Sequence, residues 1–334
     1  MDTAKIIVAK PTGEEQGNIA DSAEVDVDIG GKSDFEISID SEDWDKERYG
    51  YGCRFFIPGT EYGGIVGSIT SNTKTGKITL DGYTWRGMLI YKIIEPPEGQ
   101  DHLILSGELN DVIREMIGDR FDGLIEVPKK STGITVSNWK VDRYVTLYDA
   151  IMKLLNQYGY RLNIEYVQPS GLDYGYIAME ALPIIDYSEK LEYSQEAKAN
   201  VTIKDYRAGV NHLICVGEGE NQERAILHLY VQKDGSIGKE QYYYGKDELE
   251  AVYDYSSADK EKLEEGGIKK LQELQNYKKC EMTVEDIELE VGDIVAGYDA
   301  ITDTTVKKPI IQKILKLKDG EATIDYIGNC ETHS

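Results

Sequence analysis

Long apolar runs are missing from this chain. Its first apolar stretch, Ile6-Ile7-Val8-Ala9, is too brief for the hydrophobic core of a secretory signal. No later run approaches the ~20 residues that cross a bilayer. The expectation is a protein with no membrane anchor, made and kept in a cytoplasm until the cell lyses. Positive charge is also scarce: 37 Lys and Arg stand against 61 Asp and Glu, a formal net charge of −24 over 334 residues. Holding nucleic acid through its phosphates needs clustered cations, so specific nucleic-acid binding is not expected. The densest basic stretch (Lys307, Lys308, Lys313, Lys316 and Lys318) is spread at mostly alternating or wider spacing. It lacks aromatics for base stacking and reads as a solvated strand face.

Cysteine and histidine are few. Cys53, Cys215, Cys280 and Cys330 contain no C-x-x-C pair, so reduced, mostly buried thiols are expected rather than a disulfide framework. His102, His212, His228 and His333 form neither H-x-x-x-H nor H-E-x-x-H, and no Cys or His pair sits at ligand spacing; no metal site is expected. Cys215 and His212, three apart on a strand-like segment, face opposite sides and make no nucleophile–base pair. Gly217-Glu218-Gly219 lacks the third glycine, the following helix and the Lys-Ser/Thr of a phosphate loop, and reads as a β-turn. Asp26-x-Asp28-x-Gly30 resembles the start of a calcium loop, but Ile37 occupies the place of the bidentate Glu. The acids of Glu24-Val25-Asp26-Val27-Asp28 share one strand face, which reads as solvated. No catalytic, cofactor-binding or metal residues are assigned, and an enzyme is not expected.

What is abundant is tyrosine, 24 against 4 Phe, and period-two alternation. Tyr suits half-buried sheet faces and subunit contacts. Val25, Val27 and Ile29, then Phe35, Ile37 and Ile39, flank a Gly30–Asp34 turn and predict a hairpin. Further strands are expected at Arg54–Ile57, Ile65–Ser71, Lys77–Tyr83 and Met88–Ile94. The period then changes. Ser106 as N-cap precedes a helical stripe ending at Gly118, and Thr146 opens a second helix ending at Gly159. Strands return at Leu162–Tyr166, Tyr174–Leu182, Ala199–Asp205, Asn211–Gly217, Ala225–Gln232 and Gln241–Tyr244. A charged helix over 257–279, carrying Gly266-Gly267, interrupts them before Thr283–Leu289, Ile294–Asp299, Pro309–Lys318 and Ala322–Gly328. The fold class is mainly β (α+β): two β-barrel-like domains with a small α/β helical insert. The units are 1–105, an N-terminal barrel-like domain; 106–198, the insert with two helices and a hairpin; and 199–334, a C-terminal barrel-like domain interrupted by the helix.

Three stretches carry a family pattern: Asp81–Leu89; Gly209–Gly219 with Arg224, Leu229-Tyr230 and Lys233-Asp234-Gly235; and Leu289–Val295 with Thr304–Pro309 and Ile310–Leu317. They resemble the siphovirus-type Gp37-like prophage tail family, related to phage baseplate-hub and tail-associated proteins. The resemblance implies a homotrimeric ring at the tip of a tail tube, two similar barrels per subunit matching a sixfold tube to a threefold tip. Its implied partners are tail-tube and distal-tail proteins above and tip or tail-fibre proteins below. Its implied place is the virion tail, assembled in the bacterial cytoplasm. Members of the wider class carry C-terminal hydrolase or receptor-binding modules; with six residues after Gly328, the short, hub-only form is expected. An acidic channel wall that repels passing DNA is one reading of the net charge, ordinary solubility the other. Tyr242-Tyr243-Tyr244 and Tyr253-Asp254-Tyr255 are candidate subunit contacts or plain surface tyrosines. Two other classes remain: a cell-wall glycosidase or peptidase, and a carbohydrate-binding tip module whose platform would draw on Trp44, Trp85 or Trp139, with Trp85 the one expected in the core.

Overall fold

A computed structural model describes residues 5–169, 174–188, 199–220, 223–284, 288–299 and 304–328. The chain is mainly β with a helical insert, and it divides into two compact units. The first takes in the chain up to Asn200 together with Met282–Tyr298 and Lys307–Gly328; the second centres on Val201–Glu281.

In the first unit the expected hairpin forms. Glu24–Ile29 and Asp34–Asp40 pair antiparallel, Val25 opposite Ile37 and Val27 opposite Phe35, so the apolar set of both strands lies on the buried face. The turn is held by Asp28, whose carboxylate accepts from the Gly31 and Lys32 amides at 3.0 Å each, and by Gly30 at φ +95°. Beyond Asp34–Asp40 the sheet continues through Lys77–Thr84, Gly63–Asn72, Arg54–Phe56, Ile7–Ala9 and Glu15–Asn18. On its other side, Glu24–Ile29 pairs antiparallel with Thr304–Lys318, Leu315 opposite Val27, and Glu321–Gly328 lies beyond. The span 199–334, read from sequence as one unit, thus contributes strands to the first unit's sheet. Alternation told that Pro309–Lys318 had a buried face but not which strand would cover its edge.

The helical insert is built on its caps. Thr146 Oγ1 accepts from the Asp149 amide at 3.0 Å, and Gly159 closes Leu147–Tyr158 at φ +70°. The other helix, Leu109–Ile117, is capped by Glu108 rather than Ser106, which lies in a strand, Ile104–Glu108, paired with Thr135–Lys140. Both helices bury their stripes with Leu162, Ile164, Ile177 and Met179 of the antiparallel pair Tyr160–Val167 and Tyr176–Pro183.

The second unit holds a four-stranded sheet in the order Ile237–Gly238, Ile226–Val231, His212–Val216, Glu250–Asp254, the last pair parallel. Leu213, Cys215, Leu229 and Val231 point to the helix Lys260–Leu274, which buries Leu263 and Leu271 against them. Gly266-Gly267 does not break this helix. A Cβ on Gly267 would stand 2.5 Å from the Cys215 sulfur and 2.8 Å from Leu229, so the glycine lets helix and sheet approach. One strand expectation fails here, since Gln241–Tyr244 is irregular, and one strand was not anticipated, Glu250–Asp254, whose acidic ends masked its alternation. Ser170-Gly171, part of 283–289, Cys330 and His333 lie outside the described residues.

Candidate functional site: buried joints and an open tyrosine groove

The first family-like stretch, Asp81–Leu89, ends a strand in a buried knot. Trp85 is fully buried, its ring 5.6 Å from that of Tyr166, which stacks in turn on Phe56 at 3.8 Å. Arg86 beside it forms a two-pronged pair with Glu61, Nε to Oε1 at 2.6 Å and a terminal nitrogen to Oε2 at 2.9 Å, and donates to the Leu162 carbonyl at 3.1 Å. Both side chains of the pair are 1% exposed. Arg rather than Lys fits such a place because its planar fork matches a carboxylate edge. The chain then turns as a 3-10 helix, Gly87–Tyr91, where a strand over Met88–Ile94 was expected. The cause is a close crossing: the Gly87 amide donates to Thr84 Oγ1 at 3.3 Å, and Gly87 passes the sequence-distant Ser33 carbonyl so closely that a Cβ would stand 2.1 Å from it.

The third stretch, Leu289–Val295, is a second buried joint. Asp293, 1% exposed, accepts from the Ile185 amide through Oδ1 and from the Glu290 amide through Oδ2, both at 3.1 Å. Arg161 Nε lies 3.1 Å from the same carboxylate, and the Gly292 amide (φ +105°) donates to Ile310 at 2.7 Å. Next to it Lys313, 2% exposed, donates to Glu290 at 2.5 Å and lies over the Tyr62 ring. This corrects the solvated-face reading for Lys313. Period two sets Lys313 on the same face as Leu315 and Leu317, and an irregularity in strand register between Ile310 and Gln312 brings Ile310 onto that buried face as well. Lys307 and Lys316 stay at the surface, paired with Asp186 at 2.7 Å and Asp325 at 2.9 Å.

In the second stretch Gly217-Glu218-Gly219 is a turn. The Gly217 amide donates to Ala225 at 2.8 Å, and Arg224 donates back to the Gly217 carbonyl at 3.1 Å and to Asp254 at 2.7 Å. Cys215 lies in the core, where burial pushes its thiol up to about 11, while His212 points to the opposite sheet face. Cys53 is likewise buried and free.

Two grooves in the first unit present side-chain chemistry to solvent. One is an open groove of about 760 Å³ whose lining includes Tyr83, Tyr91, Tyr174, Arg54, Lys92 and Arg120. Tyr83 and Tyr91 lie 4.2 Å apart, and the cations are held in place: Arg54 donates to the Pro11 carbonyl at 2.8 Å and Arg120 to that of Met116 at 2.6 Å. Tilted, adjoining phenol rings beside fixed cations suit an extended polar ligand or a partner loop. The other is a groove of about 610 Å³ around Asp26, Asp28, Asp34, Glu36 and Asp81. Burial, ahead of the neighbouring charges, raises the Asp26 carboxyl above its ordinary range.

The carbohydrate-binding alternative would draw on the three tryptophans. Trp85 is core, while Trp44 and Trp139 are half-buried against the two cores of the unit. Tyr242 and Tyr244 are exposed on an irregular segment; Tyr253 packs half-buried on the helix and Tyr255 is exposed. Among the described residues one mixed set of metal-ligating groups converges, His212 with Glu248 and Glu250. Sequence spacing missed it because parallel strand pairing sets His212 opposite Glu250, and Glu248, 36 positions from His212, lies just ahead of that strand. No helix among the described residues is long and apolar enough to cross a membrane.

No family model and no curated protein matches the chain. Among solved structures it is similar to the prophage tail protein gp18 from Listeria monocytogenes EGD-e, at 12% identity over 99% of this chain and 95% of that one, with a TM-score of 0.47. It is also similar to the 43 kDa tail protein of prophage MuSo2 from Shewanella oneidensis, at 13% identity over 97% of each chain and a TM-score of 0.49. A third is the tail protein from Neisseria meningitidis MC58, at 12% identity over 97% of this chain and 96% of that one, with a TM-score of 0.45. At these values the likeness carries no function across to this chain.

Proposed function

We propose that this chain is a structural component of a phage or prophage tail tip, a hub subunit whose homotrimeric ring joins the tail tube to tip proteins. The observation that carries the reading is the placement of the three family-like stretches. The first and last form buried joints, Arg86 with Glu61 and Asp293 with Arg161, and the second holds a turn that closes a strand pair. The two joints and the turn fix backbone, as a load-carrying ring subunit requires. The acidic groove around Asp26, Asp34 and Asp81 supports a surface that repels phosphate, in keeping with a channel that lets DNA pass without holding it. Non-enzymatic action, the Gp37-like family and the tail-tube, distal-tail and fibre partners belong to this same reading.

Co-expression with the tail-tube and distal-tail proteins tests it. The expected result is co-purification of the three and, by light scattering, a mass of three copies of this chain per complex. Absence of the chain from purified tail particles overturns the reading.

A second reading has one specific observation in its favour, the tyrosine and cation groove at Tyr83, Tyr91 and Tyr174. It is a tip module that binds anionic surface sugars of the host. Binding of host cell-wall polysaccharide that is lost in Tyr91→Ala supports it; clearing of peptidoglycan in a gel overlay would instead indicate the hydrolase class.

A further inference from the structure

In the second unit's sheet one face is covered by the helix Lys260–Leu274. The other face gathers His212, His228, Tyr230 and Glu250, because His212 lies opposite Tyr230 in the antiparallel pair and opposite Glu250 in the parallel one. His212 is 6% exposed and its ring stacks on Tyr230 at 4.3 Å, which fixes its plane. Its Nδ1 faces two carboxylates at once, Glu248 Oε1 at 2.7 Å and Glu250 Oε1 at 3.1 Å. Its Nε2 is 2.8 Å from His228 Nδ1. Gln241 donates to the same Glu248 oxygen at 2.7 Å.

A ring nitrogen carries one proton or one lone pair. One N–H can only split its proton between two carboxylate oxygens in a three-centre bond, and two carboxylates brought this close repel one another. A cation in place of the proton resolves both: it takes the Nδ1 lone pair and both oxygens, which lie within 4.8 Å of one another. With the metal on Nδ1, His212 holds its proton on Nε2 and donates it to His228 Nδ1. Gln241 steadies Glu248. These are the outer partners that orient ligands in metal sites.

We propose that His212, Glu248 and Glu250 bind a divalent cation of the zinc class. One imidazole and two carboxylates suit Zn²⁺ or a similar transition ion. Ca²⁺ takes six to eight oxygen ligands, and Mg²⁺ prefers a mostly hydrated oxygen octahedron. Three protein ligands leave a fourth position for water. The ion ties the segment carrying Glu248 to the strand carrying His212, so its role is to brace this sheet, with His228 as a positioning residue. This site stands independently of the tail reading: it would exist in any protein with this sheet.

The test uses the full, untagged chain, stripped with chelator and titrated with Zn²⁺ against a fluorescent zinc indicator. The expected result is one Zn²⁺ per chain, with affinity at least about tenfold weaker in Glu250→Gln and in His228→Ala. Zinc also raises the melting temperature of the wild type and not that of Glu250→Gln. Glu250 is more than half exposed, so that variant keeps its fold even if a change at His212 does not. Failure of the wild type to take up Zn²⁺ overturns the proposal. So does uptake undiminished in both variants, or equal competition by Ca²⁺.

Discussion

Arg86 and Glu61 in the first unit meet with both side chains 1% exposed, whereas His212 in the second is buried beside a Glu250 that is 55% exposed. Both are charged clusters on sheet-derived frameworks, but they differ in what water can do. The dry pair cannot exchange a proton or an ion without opening the core, so it acts only as architecture. The half-wet cluster has an open side and keeps its chemistry available. Depth of one partner is therefore a poor guide to role; the exposure of the shallower partner decides.

The comparison breaks most visibly at the dry pair. Glu61→Ala strands a buried guanidinium and is expected to cost about 3–5 kcal/mol, read as a lower urea midpoint. Replacing the pair together, Glu61→Leu with Arg86→Met, is expected to recover most of that loss; a double variant as unstable as the single one contradicts the account. In the second unit, Gly267→Ala drives a Cβ to 2.5 Å from the Cys215 sulfur. A loss of about 1–3 kcal/mol is expected, although alanine is the better helix former. Thermal unfolding followed by circular dichroism measures it, and a stabilised protein contradicts the close-approach argument. Thr146→Ala removes the cap that the Asp149 amide uses and is expected to cost about 1 kcal/mol in the first unit.

The smallest effect is electrostatic. The Lys307 hydrogen bond, with those from Ser188, lowers the Asp186 carboxyl to about 2. Since the folded value lies below the unfolded one of about 3.9, this contribution is complete above about pH 4 and is lost as pH falls through 2. Carboxyl NMR titration checks it: Lys307→Ala should bring Asp186 back towards its ordinary value, and an unmoved midpoint removes the pairing.

Much of this architecture is legible in the residues. Thr146, Gly159 and Gly118 mark helix ends because caps act within a few residues, and the Val25–Ile39 alternation gives its hairpin for the same local reason. Where sequence reading failed, the deciding contact was distant. The Ser33 carbonyl that Gly87 must pass bends the chain away from a strand. Lys313 shares its face with Leu315 by period two, but the carboxylate that lets a lysine be buried there, Glu290, is 23 positions away and is brought in by the fold. Of the site chemistry, the absence of local motifs was readable, but the meeting of His212 with Glu248 and Glu250 is made by cross-strand neighbours.

The hydrogen bond from Gln312 to Asp28 joins residues 284 positions apart along one sheet. On the ribosome, Glu24–Ile29 therefore waits with one edge bare while nearly three hundred residues are translated, and the whole Val201–Glu281 segment emerges before its partner does. An unpaired edge is where nascent chains stick to one another, and the Glu24, Asp26 and Asp28 charges along this one keep like edges apart during the delay.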